Sequence, residues 1–285
     1  MTLVLRPGTP ADAAACGTIC YEAFKAVCTA HNFPPDFASP DVAGGLMSML
    51  FAHPRFYSVV AEAEGRVVGS NFLDERSCIA GLGPITVDLT VQNRGVGARL
   101  MQDAIDRSAR RQAAGVRLMQ AGFHNRSLSL YTKLGFHTRE PMSILQGKPL
   151  GLKFPGYEVR PATAADIAAC NHLCHEVHGF DREAELRDAI DQKTASVVEH
   201  LGWITGYTTG IAFFAHSVAE TSHGLMALIG AAPEFGGPGF LLPTRNHAVF
   251  DWCLKAGLKL VYQMTLMTIG LYHEPEGAYL PSVLY

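Results

Sequence analysis

Between Val91 and Leu100 the chain reads VQNRGVGARL, and its two glycines, Gly95 and Gly97, stand where one pattern gives way to another. Upstream, GPITVDLTV is β-branched and alternating; downstream, Val96, Leu100, Met101, Ala104 and Ile105 recur at helical spacing. The glycines therefore fall between a strand and a helix N-terminus. There the first-turn N–H groups lack intrahelical partners and the helix dipole adds partial positive charge, so an anion is favoured. Arg94 and Arg99 add formal charge. Glycine serves a tight turn as readily as it clears room for a phosphate, so the pair alone leaves both readings open. Two nucleotide motifs are excluded. A Walker loop needs Gly-Lys-Ser/Thr, and the chain's Gly147-Lys148 runs into Pro149; a dinucleotide fingerprint needs a third glycine where Leu100 stands, and an acidic residue roughly 20 residues on, where the chain reads GVRLMQ.

A second stretch follows the strand VRLMQA and reads GFHNRSLSLYTKLGFHTREP, from Gly122. Asn125 or Ser127 is placed to cap a short helix whose inner face is Leu128, Tyr131 and Leu134, and Gly135 suits the left-handed turn that ends it. Phe136 opens another strand. A phenol on such a helix either fills the core with its hydroxyl satisfied or meets a reacting group as a proton donor.

The whole chain bounds these possibilities. With 285 residues it exceeds the size at which a single core usually stops growing, so two domains are expected. It is 48% apolar and 17% charged, with no apolar run approaching the ~20 residues of a membrane span, and MTLVLRPGTPADAAA lacks the basic and long apolar regions of a signal peptide. A soluble, cytoplasmic protein without membrane association is expected. Seven cysteines without a C-x-x-C pair do not suggest a disulfide framework. A net charge of −3 gives no electrostatic reason for nucleic-acid binding, and Arg107, Arg110 and Arg111 read as the solvated face of their helix.

Self-comparison is the most productive step. LRPGTPADAAACGTIC, from Leu5, lies over VRPATAADIAACNHLC, from Val159, with nine of sixteen positions identical. SVVAEAEGRVVG from Ser58 matches SVVEHLGWITG from Ser196, and AAGVRLMQ from Ala113 matches KAGLKLVYQ around Gly257. The last offset places Gly95 and Gly97 on Gly237 and Gly239 of EFGGPG, with Glu234 at the position of Gln92. Two copies of one mixed α/β unit result: residues 1–146, a Gly/Pro-rich linker 147–157, and residues 158–285. The second copy reads as lacking most of the segment from His31 to Phe56 and any counterpart of the Tyr131 helix, since Pro275, Gly277 and Pro281 follow its late strand. Cys170, Cys174, His175 and His178 have ligand-like spacing, but the two cysteines repeat Cys16 and Cys20, which no such histidines follow. They read as buried thiols, with no metal expected.

Together, Gln92, Gly95 and Gly97 with Leu100, and Asn125, Ser129, Tyr131, Leu134, Gly135 and Phe136 in LYTKLGF, resemble the GNAT N-acetyltransferase superfamily, in which tandem arrangements occur. The resemblance covers the first half fully and the second with decay. It implies two GNAT-like acyl-CoA transferase domains, the first catalytic and the second degenerate, using acetyl-CoA. On that resemblance Gln92, Asn93, Arg94, Gly95, Val96, Gly97 and Ala98 wrap the coenzyme A pyrophosphate through backbone N–H groups. Thr86 and Val87 offer main-chain groups to the pantetheine arm and the acetyl carbonyl. Asn125 holds the far side of the arm, and Tyr131 protonates the departing thiolate. Asp88 reads as structural. Asp74, Glu75 and His124 are candidate bases among which the pattern does not choose, and a water is an alternative. The acceptor expected is a small-molecule primary amine, from the aromatic, proline-paired segment after His31 and the absence of a charged tract. A homodimer is open, as are two rival readings: a non-catalytic acyl-CoA-binding or sensing protein, and a two-domain interaction scaffold using GAYLPSVLY.

Overall fold

The protein is described by a computed structural model over residues 2–284. In the first half the chain forms β1 (Leu3–Pro7), α1 (Ala13–Ala30), α2 (Pro40–Ala52), β2 (Phe56–Ala63), β3 (Arg66–Asp74), β4 (Ile79–Leu82), β5 (Thr86–Val87), α3 (Val96–Arg110), β6 (Gly115–Ala121), α4 (Asn125–Lys133) and β7 (His137–Gln146). The second half repeats the order with β8 (Tyr157–Pro161), α5 (Ile167–His178), α6 (Glu183–Asp191), β9 (Ser196–His200), β10 (Trp203–Thr208), β11 (Ser217–Ala219), α7 (Ser222–Ala231), β12 (Phe240–Pro243), α8 (His247–Lys255) and β13 (Lys259–Gly270). One further strand, β14 (Ala278–Leu280), follows. The mixed α/β architecture expected from the sequence is the one found. Among the described residues no helix is long and apolar enough to cross a membrane.

Two compact units form, and they do not follow the linear halves. Unit 1 holds the chain up to Thr138 together with Met267–Leu271 and Leu284; unit 2 holds Arg139–Leu266 and Tyr272–Val283. The chain trades late strands. In unit 1, β1 to β4 form an antiparallel run, β6 joins β4 in parallel, and the Met267–Gly270 end of β13 lies on the far edge of β6, where the Leu271 N–H donates to the Ala114 carbonyl. A Cβ on Gly115 would stand 2.7 Å from the Leu271 oxygen, so this edge admits the returning strand only because residue 115 is glycine. In unit 2, β7 pairs antiparallel with β12 from Leu145↔Phe240 to Met142↔Pro243, and a separate sheet runs β14-β11-β10-β9-β8. The linker at 147–157 therefore does not mark the edge of either unit.

In unit 1, α3 packs one face of the sheet through Met101 and Ala104 against Leu73, Leu82 and Leu118, while the ring of Phe51 on α2 meets Phe72 on the other face at 4.8 Å. In unit 2, α7 carries Leu225, Met226, Leu228 and Ile229, all buried, and is apolar on nearly every side, as a helix enclosed by its unit must be.

The repeat is visible as chemistry. Arg6 donates to both Asp12 oxygens at 2.8 and 2.6 Å and to Glu62 at 2.9 Å, while Asp12 accepts from the Thr9 N–H and hydroxyl. Arg160, Asp166, Glu199 and Thr163 reproduce the arrangement in unit 2. Each cluster fastens the start of its first helix to its first two strands. The second copy also keeps a helical pair between its first two strands, in shortened form: α5 and α6 have 12 and 9 residues against 18 and 13 for α1 and α2. The expected loss of the segment after His31 is thus a trimming.

Arg6 and Thr9 hold the Asp12 carboxyl down to about 2. Because its folded value lies below the unfolded one, its contribution is complete above about pH 4 and is lost as pH falls towards 2. Asp12→Ala is expected to destabilise unit 1 by about 2 kcal/mol near neutral pH in denaturant unfolding, with the difference from wild type shrinking over that acid range.

Candidate active site

The loop ahead of α3 is built from short-range constraints. Asp88 accepts from the Thr90 N–H at 2.8 Å and from Arg66 at 2.5 Å, so it stiffens the turn after β5, in keeping with its structural reading. Asn93 and Gly95 both take left-handed backbone, φ +63° and +82°, and Gly95 is the residue that caps α3, with no side chain accepting from its first-turn N–H groups. Those donors face outward with the positive end of a 15-residue helix behind them. Val96, which is buried, pins the helix start to the core. Gly97 is different in kind: its backbone is helical, and a Cβ would meet Leu130 and Val87 side-chain carbons at 3.7 and 3.8 Å, ordinary contact. Ala98 is half-buried in the same first turn.

Side chains tie this loop to the elements on either side. Gln92 Nε2 donates to the Val87 carbonyl at 3.1 Å, and Arg126 on α4 donates to Gln92 Oε1 at 2.6 Å and to Asn93 Oδ1 at 3.3 Å. Sequence reasoning missed Arg126; its place in the first turn of α4 was the available signal. Arg94 is exposed, whereas Arg99 is committed to the Leu3 carbonyl at 3.0 Å.

Between loop and helix the sheet opens. β4 and β6 pair only from Ile79↔Gly115 to Gly81↔Arg117, after which β6 runs on to Ala121 while β5 turns to pair with β3 at Gly69 and Ser70. Thr86, on β5, buries a hydroxyl with no hydrogen-bond partner. On the other side Gln120, buried at the end of β6, donates to the Ala121 and His124 carbonyls and to Ser127 Oγ, and so fastens the start of α4. The residue capping α4 is His124, rather than Asn125 or Ser127: Ser127 instead donates to the His124 carbonyl, and Asn125 is exposed at the first helical position. Gly135 ends the helix with φ +94°.

Tyr131 packs its ring against the core beside Phe136, with centroids 6.2 Å apart. Its hydroxyl has no partner among the described residues, and burial pushes the phenol up to about 12, so it stays protonated through neutral pH. Two candidate bases are spoken for: Asp74 binds Arg76 at 2.6 Å, and Glu75 holds Arg107 at 2.8 Å and Arg111 at 2.5 Å. Arg107 and Arg111 are thus partners of a buried carboxylate, and their helix face is more than a solvated one.

Unit 2 corrects the register of the repeat. KAGLKLVYQ follows α8 and forms β13, so it corresponds to β7, and the matching helix for α4 is α8. The element after α3 and the element after α4 both begin with a short Gly turn and a strand, so one sequence window fits either. Gly237 and Gly239 consequently precede β12 rather than a helix, and Gly239 clears the Leu145 carbonyl, which a Cβ would approach to 2.3 Å. The counterpart of the Gly95 loop is the approach to α7, where Thr221 Oγ1 accepts from the Gly224 N–H at 3.2 Å. Aligning Gly257 on Gly135 puts Cys253, fully buried, where Tyr131 stands. Between β11 and β12, where unit 1 opens, β14 pairs with β11 from Ser217↔Leu280 to Ala219↔Ala278 and lies against β12, anchored by the Tyr279 hydroxyl on Glu140 at 2.6 Å. A cavity of about 190 Å³ beside Arg245 and Asn246 is what remains there. Cys170 and Cys174 point into the core while His175 is exposed; among the described residues no group of three or more such side chains is placed to hold a metal.

In unit 1 an open sheet is thus flanked by an uncapped helix N-terminus and by a helix carrying an unpaired phenol. Residues 54–138 match the acetyltransferase (GNAT) domain family, and this part of the chain is a GNAT domain, of a family that uses acetyl-CoA. A putative acetyltransferase from Pyrococcus horikoshii superposes with a TM-score of 0.76 at 16% identity, over 97% of this chain and 94% of that one. For the GCN5-related N-acetyltransferase from Sphaerobacter thermophilus the values are 0.61 and 15%, over 95% and 96%. For a tandem GNAT protein of the clavulanic acid biosynthesis pathway they are 0.57 and 14%, over 99% and 100%. At these identities the solved structures establish the fold, which is that of tandem GNAT proteins. Comparison with curated sequences finds no match.

The two glycines separate by substitution. Gly95→Ala forces a side chain into left-handed backbone and is expected to cost about 1 kcal/mol or more, whereas Gly97→Ala, helical and uncrowded, is expected to be neutral or slightly stabilising in thermal unfolding.

Proposed function

We propose that unit 1 is the catalytic centre of an acetyl-CoA-dependent N-acetyltransferase whose acceptor is a primary amine of a small molecule, and that each chain binds one coenzyme A. The observation that carries this reading is the contrast between the two units. In unit 1 the parting of β4 and β6 lies between unsatisfied helix N–H groups and Tyr131; in unit 2 the same place holds β14, a threonine cap and a cysteine.

The residues present fit the cofactor. The N–H groups from Gly95 to Ala98 suit a pyrophosphate, with Arg94 as an exposed cation beside them and Gln92, Asn93 and Arg126 holding the loop in shape. β5 offers its main chain on one side, with the Val87 carbonyl partly engaged by Gln92 and the Thr86 hydroxyl buried without a partner behind it; Asn125 stands on the other. Bound there, acetyl-CoA supplies an activated acyl carbon. Tyr131, kept protonated by its apolar surroundings, donates its hydroxyl proton to the departing sulfur. The retained, unpaired phenol favours chemistry over a purely sensing role.

Calorimetric titration with acetyl-CoA is expected to give one site per chain, abolished by Gly95→Glu or Gly97→Glu in protein that remains folded, since the added carboxylate would occupy and repel the phosphate volume. Two tight sites, or one that survives these changes, would refute the assignment. Screening amines for release of coenzyme A thiol tests the transfer, and Tyr131→Phe is expected to lower turnover by roughly 10² to 10⁴ with cofactor affinity kept.

A further inference from the structure

Transfer to an amine also requires a group to receive the amine's proton, and the carboxylates near the opening are engaged. Asp74 is paired with Arg76, Glu75 with Arg107 and Arg111, Asp88 with Arg66, Glu62 with Arg6, and Asp103 accepts from the Tyr57 hydroxyl at 2.6 Å. We propose that His124 is the catalytic base, a proposal that rests on the transferase reading of unit 1.

His124 stands directly beyond β6, past the last β4–β6 pair, and heads α4. His124 is the N-cap of α4, with φ −95° and ψ 76°, and so stands at the head of the helix on which Leu128 and Tyr131, the proposed acid, are packed inward. Gln120 and Ser127 hold the residue by its backbone carbonyl, and neither ring nitrogen has a hydrogen-bond partner among the described residues. Over this junction the α1–α2 connection is clamped by rings: Phe123 lies 4.5 Å from Phe33 and 5.1 Å from His31 between centroids. The neighbouring His31 is itself committed, with Nδ1 at 2.8 Å from the Val27 carbonyl.

The charged and titratable groups facing His124 are Arg126 from α4 and His31 from the end of α1; with burial, the largest cause, they lower its pKa. The ring is therefore neutral, with a lone pair free, throughout the neutral range. In the step, the amine nitrogen bonds the acetyl carbon and passes a proton to the imidazole, the carbon–sulfur bond breaks, and the sulfur takes the Tyr131 proton. The imidazolium then returns a proton through solvent to the tyrosinate, leaving both side chains as they began.

The test uses the full chain and an amine identified as a substrate by thiol release. For wild type, kcat/KM should rise with pH through a midpoint below about 6.5. His124→Gln and His124→Asn, both shown by calorimetry to bind acetyl-CoA normally, should lose 10²-fold or more at pH 7, lose that acidic limb, and recover in alkaline solution as free amine accumulates. Turnover within threefold of wild type with the limb intact overturns the role of His124 and leaves the transferase reading standing. A wild-type protein that binds acetyl-CoA yet acetylates no amine overturns that reading, and this role with it.

Discussion

Everything proposed for this protein depends on parallel strands that stop pairing. β4 and β6 exchange hydrogen bonds for three register pairs and then separate, one because the chain turns to β5 and back onto β3, the other because it runs straight on to α4. A sheet interior normally satisfies its backbone groups with its neighbours, so an opening at this point either admits a ligand or is filled. The surrounding elements hold it open from a distance: α3 and its loop from one side, α4 through Gln120 from the other, and the arginine that bridges loop and helix.

The second unit shows the alternative solution to the same constraint. There the chain supplies its own strand, seated by a buried tyrosine–glutamate hydrogen bond and admitted by glycines. The helix N-terminus that is left without a side-chain cap in unit 1 is capped here by a threonine. The two units thus share one design, with the opening bare in the first and filled by polypeptide in the second. The closing segment lies outside the repeated elements, which is why it has no counterpart in the first half.

Much of this was legible in the residues. The Arg-Pro-x-Thr-x-x-Asp identity of the two halves marks the ion-pair clusters at the starts of α1 and α5, where side-chain geometry admits few substitutes. The Gly95 loop and the Tyr131 helix carry local signatures, and local signatures survive in sequence. What the sequence did not yield was long-range. The register of the second copy slid by one strand because short Gly turns before strands look alike, and this hid both α8 and the cysteine that replaces the tyrosine. The strand exchange was invisible because pairing partners leave no mark on apolar strands that all read alike. Arg126 and Gln120 were passed over for a related reason: their value lies in which carbonyls and amides they reach, and spacing along the chain does not encode that.

The traded strands carry a consequence for biogenesis. During synthesis the ribosome completes β6 long before it produces the Met267–Gly270 strand that covers its far edge. At about 5–20 residues per second, unit 1 waits on the order of ten seconds with that edge bare. An exposed parallel edge is a template for wrong partners. The emerging chain therefore passes through an interval in which its first unit is assembled but unsealed along that edge.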